Sequence, residues 1–282
     1  MWTTSTRDNS VSVHSQRTGE RLAGLPGVAH AREIVVDERH DTVWASGYGD
    51  GTPVAFDSRT FEEKKRVTIE GAGPAVLALN EETGTLYAAD LGNDRLIELK
   101  RGSTTPRFLP AGDGPVSVSL SRNGRTAYTA DQTSGTLSVI DLREGTVTTS
   151  VATGAGALSV ATDERSGDAV VVNRTAATVT VVDPREGVVE ETVATGANPN
   201  HVEIADGTAY VTDKSGATQT EDTLTRIRLA RWGIDGGRPG PPAAPVLTTR
   251  PPRSATSASA GEPGGDRAPG ITWPAGARSG GP

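Results

Sequence analysis

The chain contains no cysteine, a single methionine and only eleven aromatic residues in 282. Without cysteine there is no disulfide, no thiolate zinc site and no cysteine nucleophile, although the absence fits either redox compartment. No apolar run approaches the roughly 18 residues that a spanning helix needs, so no transmembrane segment is expected. A basic-then-apolar signal pattern is also missing from the first residues, which leaves the chain cytoplasmic as written. There is no GxSxG elbow, HExxH, P-loop or dinucleotide fingerprint. With many serines and four histidines, a chance Ser/His pair carries no weight. Basic surface is scarce as well. The overall charge is −7, and residues 233–282 carry five arginines against three acids, so residues 1–232 carry −9. Binding to a phosphate backbone needs the opposite sign, which counts against nucleic acid as a partner.

What the chain does have is a period. Trp2, Trp44, Tyr87, Tyr128, Val170 and Tyr210 follow one another at steps of 42, 43, 41, 42 and 40 residues. The phrase around them is clearest from Gly114 onward. Val116, Val118 and Leu120 alternate with serines, and Ala127–Ala130 follows the turn Ser121-Arg122-Asn123-Gly124. Thr136–Ile140 and Thr146–Val151 come next, separated by Gly135 and Gly145. Short alternating β-branched runs bounded by Gly, Asn and Asp are strands joined by hairpins. Four strands in about 42 residues make one propeller blade, and a fixed period means that each unit buries its apolar face against its neighbours. A β-solenoid fits less well, because its coils are shorter and more uniform.

The aligned copies place a partial blade at 1–26, blades at 27–70, 71–111, 112–153 and 154–195, and a partial blade at 196–232. The expected architecture is all-β: a propeller of four-stranded antiparallel blades with about 22 strands, neither a clean five blades nor a clean six, so the ring need not be complete. The last copy shows three strands, ending with Thr223–Leu229, and neither terminal copy reads as a cap. Residues 233–282 hold 11 glycines and ten of the 18 prolines and lack periodicity, which predicts a disordered tail. A chain truncated within its first blade and frameshifted in its tail, without function as written, is one expectation.

The phrases Asn123-Gly124-Arg125-Thr126-Ala127-Tyr128-Thr129-Ala130-Asp131 and Ser134–Leu142 resemble the YVTN repeat of YncE-like β-propellers. The resemblance covers roughly residues 2 to 230. It implies a ring-shaped scaffold, usually of seven blades and often exported, and some members bind single-stranded DNA.

In a blade the first strand begins and the second ends on one face, so these points should surround one mouth of the channel. The first column reads Glu33, Val76, Ser117, Ser159 and His201. The second reads Ser5, Gly47, Asp90, Asp131, Asn173 and Asp213. Asp and Asn at strand ends commonly bond the backbone two residues on, so this column also has a purely structural explanation. His201 departs from the repeat, and Glu203 follows on the same strand face. Tyr48 sits in the glycine-rich segment Ser46–Pro53, which reads as a recognition loop or an insertion. His30 and His40 fall in turns and are expected to be solvated. One histidine and one carboxylate do not make a metal site, so no metal or cofactor is expected.

The expected function is a non-catalytic scaffold that recognises a protein, peptide or small ligand on the face formed by Glu33, Tyr48, Asp90, Ser117, Asp131, Ser159, Asn173, His201, Glu203 and Asp213. The alternatives are a lactonase-like hydrolase, with Glu33, His201 and Glu203 as its acid and base groups, a subunit beside a redox cofactor, or a single-stranded DNA binder.

Overall fold

A computed structural model of the chain describes residues 1–214, 222–229 and 246–248. The described residues form six antiparallel sheets, with one 3₁₀ turn at Glu38–His40. Sheet 1 has three strands, β1 (Trp2–Ser5), β2 (Ser10–His14) and β3 (Arg21–Pro26). Sheet 2 contains β4 (Ala31–Asp37), β5 (Thr42–Gly47), β6 (Thr52–Asp57) and β7 (Glu63–Arg66). Sheet 3 contains β8 (Pro74–Asn80), β9 (Thr85–Asp90), β10 (Arg95–Leu99) and β11 (Arg107–Pro110). Sheet 4 contains β12 (Pro115–Leu120), β13 (Thr126–Asp131), β14 (Thr136–Asp141) and β15 (Thr146–Ala152). Sheet 5 contains β16 (Ala157–Thr162), β17 (Ala169–Asn173), β18 (Thr178–Asp183) and β19 (Val188–Ala194). Sheet 6 contains β20 (Pro199–Ala205), β21 (Thr208–Asp213), β22 (Thr223–Arg228) and β23 (Val246–Thr248). Each sheet is a meander in which consecutive strands pair, the arrangement of a propeller blade.

Strand β23 corrects the sequence reading. The last sheet takes a fourth strand, pairing Leu224 with Thr248 and Arg226 with Val246. That strand comes from the Pro/Gly-rich stretch expected to lack structure, where three residues outside the repeat phrase give no periodic signal. The rest of the expected tail, and the stretch 215–221, lie outside the described residues.

Five apolar clusters join successive sheets. Between sheets 4 and 5, Tyr128, Leu137, Val139 and Val151 pack on Val160, Val171 and Val182. Between sheets 5 and 6, Val170, Val172, Val179 and Val181 pack on Val202, Val211 and Ile227. The periodic column thus sits at the sheet interfaces, where large side chains dominate packing: Trp44, Tyr87, Tyr128 and Val170 are all buried. Burial of such side chains contributes on the order of 2 kcal/mol each.

Six sheets closed into a ring would need six such interfaces. Among the described residues no apolar cluster joins sheet 6 to sheet 1. The faces of sheets 6 and 1 turned away from these clusters carry several polar side chains. On sheet 6, Tyr210 pairs with Arg226 and Thr212 with Leu224, and Arg226 lies over the Tyr210 ring at 5.7 Å. On sheet 1, the face opposite Trp2 and Val11 carries Thr3, Ser5, Ser10 and Ser12. Polar side chains on these faces are mixed with exposed Leu22 on sheet 1 and Leu224 on sheet 6.

The segment Ser46–Pro53 is also simpler than expected. Gly47 pairs with Thr52 and Ser46 with Pro53, leaving four residues in the turn, as between β13 and β14. It is an ordinary hairpin of this fold, not an insertion. Gly51 closes it at φ +71, a conformation that favours glycine.

Candidate functional site

The first strands of sheets 2 to 6 stand side by side and line an open cavity of about 950 Å³. Four of the predicted residues line it: Glu33 on β4, Ser117 on β12, and His201 and Glu203 on β20. The cavity runs along these strands to the far end of the sheets, where the hairpins between first and second strands supply Arg39, Glu82, Arg122, Glu164 and Arg165. The sequence reading looked only at the opposite mouth and missed this second charged rim. The signal was present, since Arg39, Glu82, Asn123, Arg165 and Asp206 recur at about the same period.

The serines on the first strands serve two ends. Ser117 Oγ accepts from the Val160 backbone N–H at 3.2 Å, and Ser159 Oγ from that of Val202 at 3.3 Å. In sheet 2 the same task falls to Ser46, whose Oγ accepts from the Glu33 N–H at 2.9 Å and donates to the Ala75 carbonyl. Each hydroxyl therefore ties the first strand of one sheet to that of the next. Ser159 Oγ also lies 3.4 Å from His201 Nδ1, which orients the imidazole at the channel wall.

His201 and Glu203 are neighbours, and Glu33 lines the same cavity. His201 Nε2 is 3.9 Å from Glu203 Oε2, with the two side chains 53% and 76% exposed. Glu33 is partly buried, and desolvation raises its pKa above the ordinary glutamate value. The His201 charge, the Ile34 backbone N–H and Arg32 oppose that rise, while Glu203 adds to it. Two carboxylates and one imidazole lining one cavity make a locally acidic wall, suited to a cationic or hydrogen-bond-donating group.

The other predicted residues are elsewhere. Asp90, Asp131, Asn173 and Asp213 are buried at the ends of second strands and do not line the cavity. Asp131 Oδ1 accepts from Thr129 at 2.8 Å, and its Oδ2 accepts from Ser138 at 2.7 Å and Thr136 at 3.1 Å. Asp213 repeats the pattern with Thr225 at 2.7 Å and Thr223 at 3.2 Å. Asp90 instead takes the Gly73 N–H at 2.7 Å and the Arg95 Nε at 2.7 Å. Asn173 inverts the polarity, donating to Thr178 and Thr180 hydroxyls and to the Thr153 carbonyl. A Cβ at Gly112 would lie 2.3 Å from Asp131 Oδ2, which accounts for the glycine that opens this repeat. Burial raises the pKa of Asp131 and of Asp213, and the hydroxyl donors hold the rise in check.

Tyr48 also stands apart from the cavity, half-buried under Arg32 at 4.7 Å and beside the His30 ring. His40 is not solvated as its turn position implied. Its Nδ1 lies 2.8 Å from the buried Asp37 carboxylate, and the ring is 23% exposed.

No family model and no curated protein sequence matches the chain. Among solved structures the fold is similar to a chain of Kuenenia stuttgartiensis hydrazine synthase, with a TM-score of 0.61 and 18% sequence identity. The alignment covers 70% of this chain and 62% of that one, so this chain spans less than two thirds of the protein it matches. In all, 1369 chains of solved structures match, so the likeness identifies the architecture without choosing a function.

Proposed function

We propose that the chain is a binding module of the YVTN/YncE-like propeller kind. It takes a small ligand or an extended peptide into the channel, where Glu33, His201 and Glu203 anchor a cationic or hydrogen-bond-donating group. One observation supports this above the rest: the 950 Å³ cavity is walled by the first strands of five sheets, and the repeat is broken there by these three residues. A volume of that size, with a few convergent polar groups, is typical of small-molecule sites. The proposed propeller domain is residues 1–232.

The test is a calorimetric screen of amines, guanidines and short basic peptides against the full chain and its Glu33→Gln and His201→Ala variants. A binder whose affinity falls about tenfold or more in either variant supports the reading, since losing a charged hydrogen bond costs roughly 1.5–3 kcal/mol. Binders indifferent to both changes would place recognition away from the channel.

A hydrolase is the second reading, favoured by a carboxylate, Glu33, and an imidazole, His201, that line one cavity, with the Glu33 pKa raised by burial. Lactone hydrolysis with and without added calcium, zinc or magnesium tests it. A rate that survives Glu33→Gln unchanged retires it. A role beside a redox cofactor rests on the likeness of fold alone.

A further inference from the structure

We propose that Asp213 makes sheet 6 a pH-sensitive joint, held while its carboxyl is neutral and loosened when the carboxyl ionises. The residue is 2% exposed and ends β21. Its Oδ2 accepts the Thr225 and Thr223 hydroxyls of β22 at 2.7 and 3.2 Å. A Cβ on Gly196 would lie 3.0 Å from the same oxygen, so the connection from sheet 5 also closes on this group. Its Oδ1 is buried and has no hydrogen-bond partner among the described residues. A bare buried oxygen is costly, and more so when it carries charge.

The aligned repeat shows why this oxygen is bare. In sheet 4 the phrase is Ala127-Tyr128-Thr129-Ala130-Asp131, and Thr129 Oγ1 donates to Asp131 Oδ1 at 2.8 Å. In sheet 6 it is Ala209-Tyr210-Val211-Thr212-Asp213, with fully buried Val211 where Thr129 stands. Valine has the shape of threonine, so a methyl fills the place of the donor hydroxyl. In sheet 5 Val171 makes the same exchange, and Asn173 Oδ1 is likewise buried without a partner among the described residues. Asn173 carries no charge, however, and Asp90 in sheet 3 has Arg95 Nε at 2.7 Å. Asp213 alone in this column joins a bare oxygen to an ionisable group without a counter-charge.

The ionisable residues on the elements around it are His201, Glu203, Lys214, Asp222, Arg226 and Arg228. None of them is among the influences on its titration. Burial raises the pKa, and the Thr225 and Thr223 hydroxyls and the Gly196 N–H oppose the rise. The folded sheet therefore keeps its proton at pH values where a locally opened one releases it, and rising pH favours opening. Strand β20, which carries His201 and Glu203, pairs with β21 along its length, so the joint adjoins the channel wall.

The experiment is amide hydrogen exchange of the full chain from acid to neutral pH, corrected for intrinsic exchange rates and read by mass spectrometry of peptic fragments. Protection of β21 and β22 is expected to fall several-fold as pH rises, and then to level off. Residues 126–141 of sheet 4 are expected to vary less, because both Asp131 oxygens have hydroxyl donors. Val211→Thr returns the missing hydroxyl, and should raise protection of β21 and β22 at neutral pH and flatten its pH dependence. Asp213→Asn should flatten that dependence as well. Protection of sheet 6 that still falls with pH in Asp213→Asn overturns the proposal. So does a Val211→Thr profile that matches the unmodified chain, or an equal flattening by Val171→Thr beside uncharged Asn173. No channel ligand is added, so the outcome is independent of the function proposed above.

Discussion

The two columns that the repeat aligns at one end of the sheets have opposite fates. The second-strand column, Asp90, Asp131, Asn173 and Asp213, is buried and takes part in hydrogen bonds within the fold. Of the first-strand column, Glu33, Val76, Ser117 and His201 line the channel, and Ser159 is buried. The difference follows from repetition. A side chain kept in blade after blade answers a need that every blade has, here the fastening of the third strand and the incoming connection to the end of the second. A side chain that appears once, as His201 and Glu203 do, answers a need that the blade does not have.

The sharpest way to break this contrast is to remove a member of the buried column. Asp131→Ala should cost about 3 kcal/mol, because it strands the Thr129, Thr136 and Ser138 hydroxyls in the interior. Asp131→Asn should cost less, since Asn173 shows that an amide fits the same place in sheet 5. Urea denaturation measures both, and equal losses would mean that the charge itself matters. Ser159→Ala should cost about 1 kcal/mol, the value of one buried hydrogen bond between sheets 5 and 6, with an unchanged denaturant slope.

Titration separates the columns by sign. Asp131 and Asp213 have folded-state pKa values raised above the ordinary aspartate value of 3.8, chiefly by burial. Between that value and the raised one, the folded chain holds more protons than the unfolded chain. Their contribution to stability is therefore greatest at low pH and declines as pH rises through this window, then stays level. Half-buried Asp57, lowered by the Thr60 and Arg59 backbone N–H groups, acts in the opposite sense. Denaturation midpoints from acid to neutral pH should show a shallower decline in Asp131→Asn, and an identical profile would contradict this assignment. The smallest expected effect on stability is that of Glu33→Gln, within about 0.5 kcal/mol of the unmodified protein, as for a change that removes no internal contact of the side chain. A larger loss would make Glu33 part of the fold's construction and weaken the case for the channel site.

Much of this was legible beforehand because period and alternation report burial directly. The column from Trp44 to Val170 is buried at the sheet interfaces, and hairpins close at glycines such as Gly135, at φ +68. That Glu33, His201 and Glu203 depart from the aligned phrase was legible too. Less legible was the partner of each polar group. Sequence gives no sign that Ser117 reaches Val160, or that Asp131 collects three hydroxyls, because those bonds depend on the distance between neighbouring strands and sheets. The strand Val246–Thr248 escaped notice because three residues carry too little pattern to stand out from proline and glycine.

The sequence by itself determined the repeated four-stranded unit, its length and the face that each unit buries, since strand alternation and apolar periodicity are local and survive without knowledge of the whole. Only the tertiary structure decided which polar residues are spent inside the fold and which are left facing the cavity. It also decided that Asp168, Asp183 and Glu190 meet. Those outcomes depend on how sheets stack, and stacking brings together residues whose separation along the chain says nothing about their distance in space.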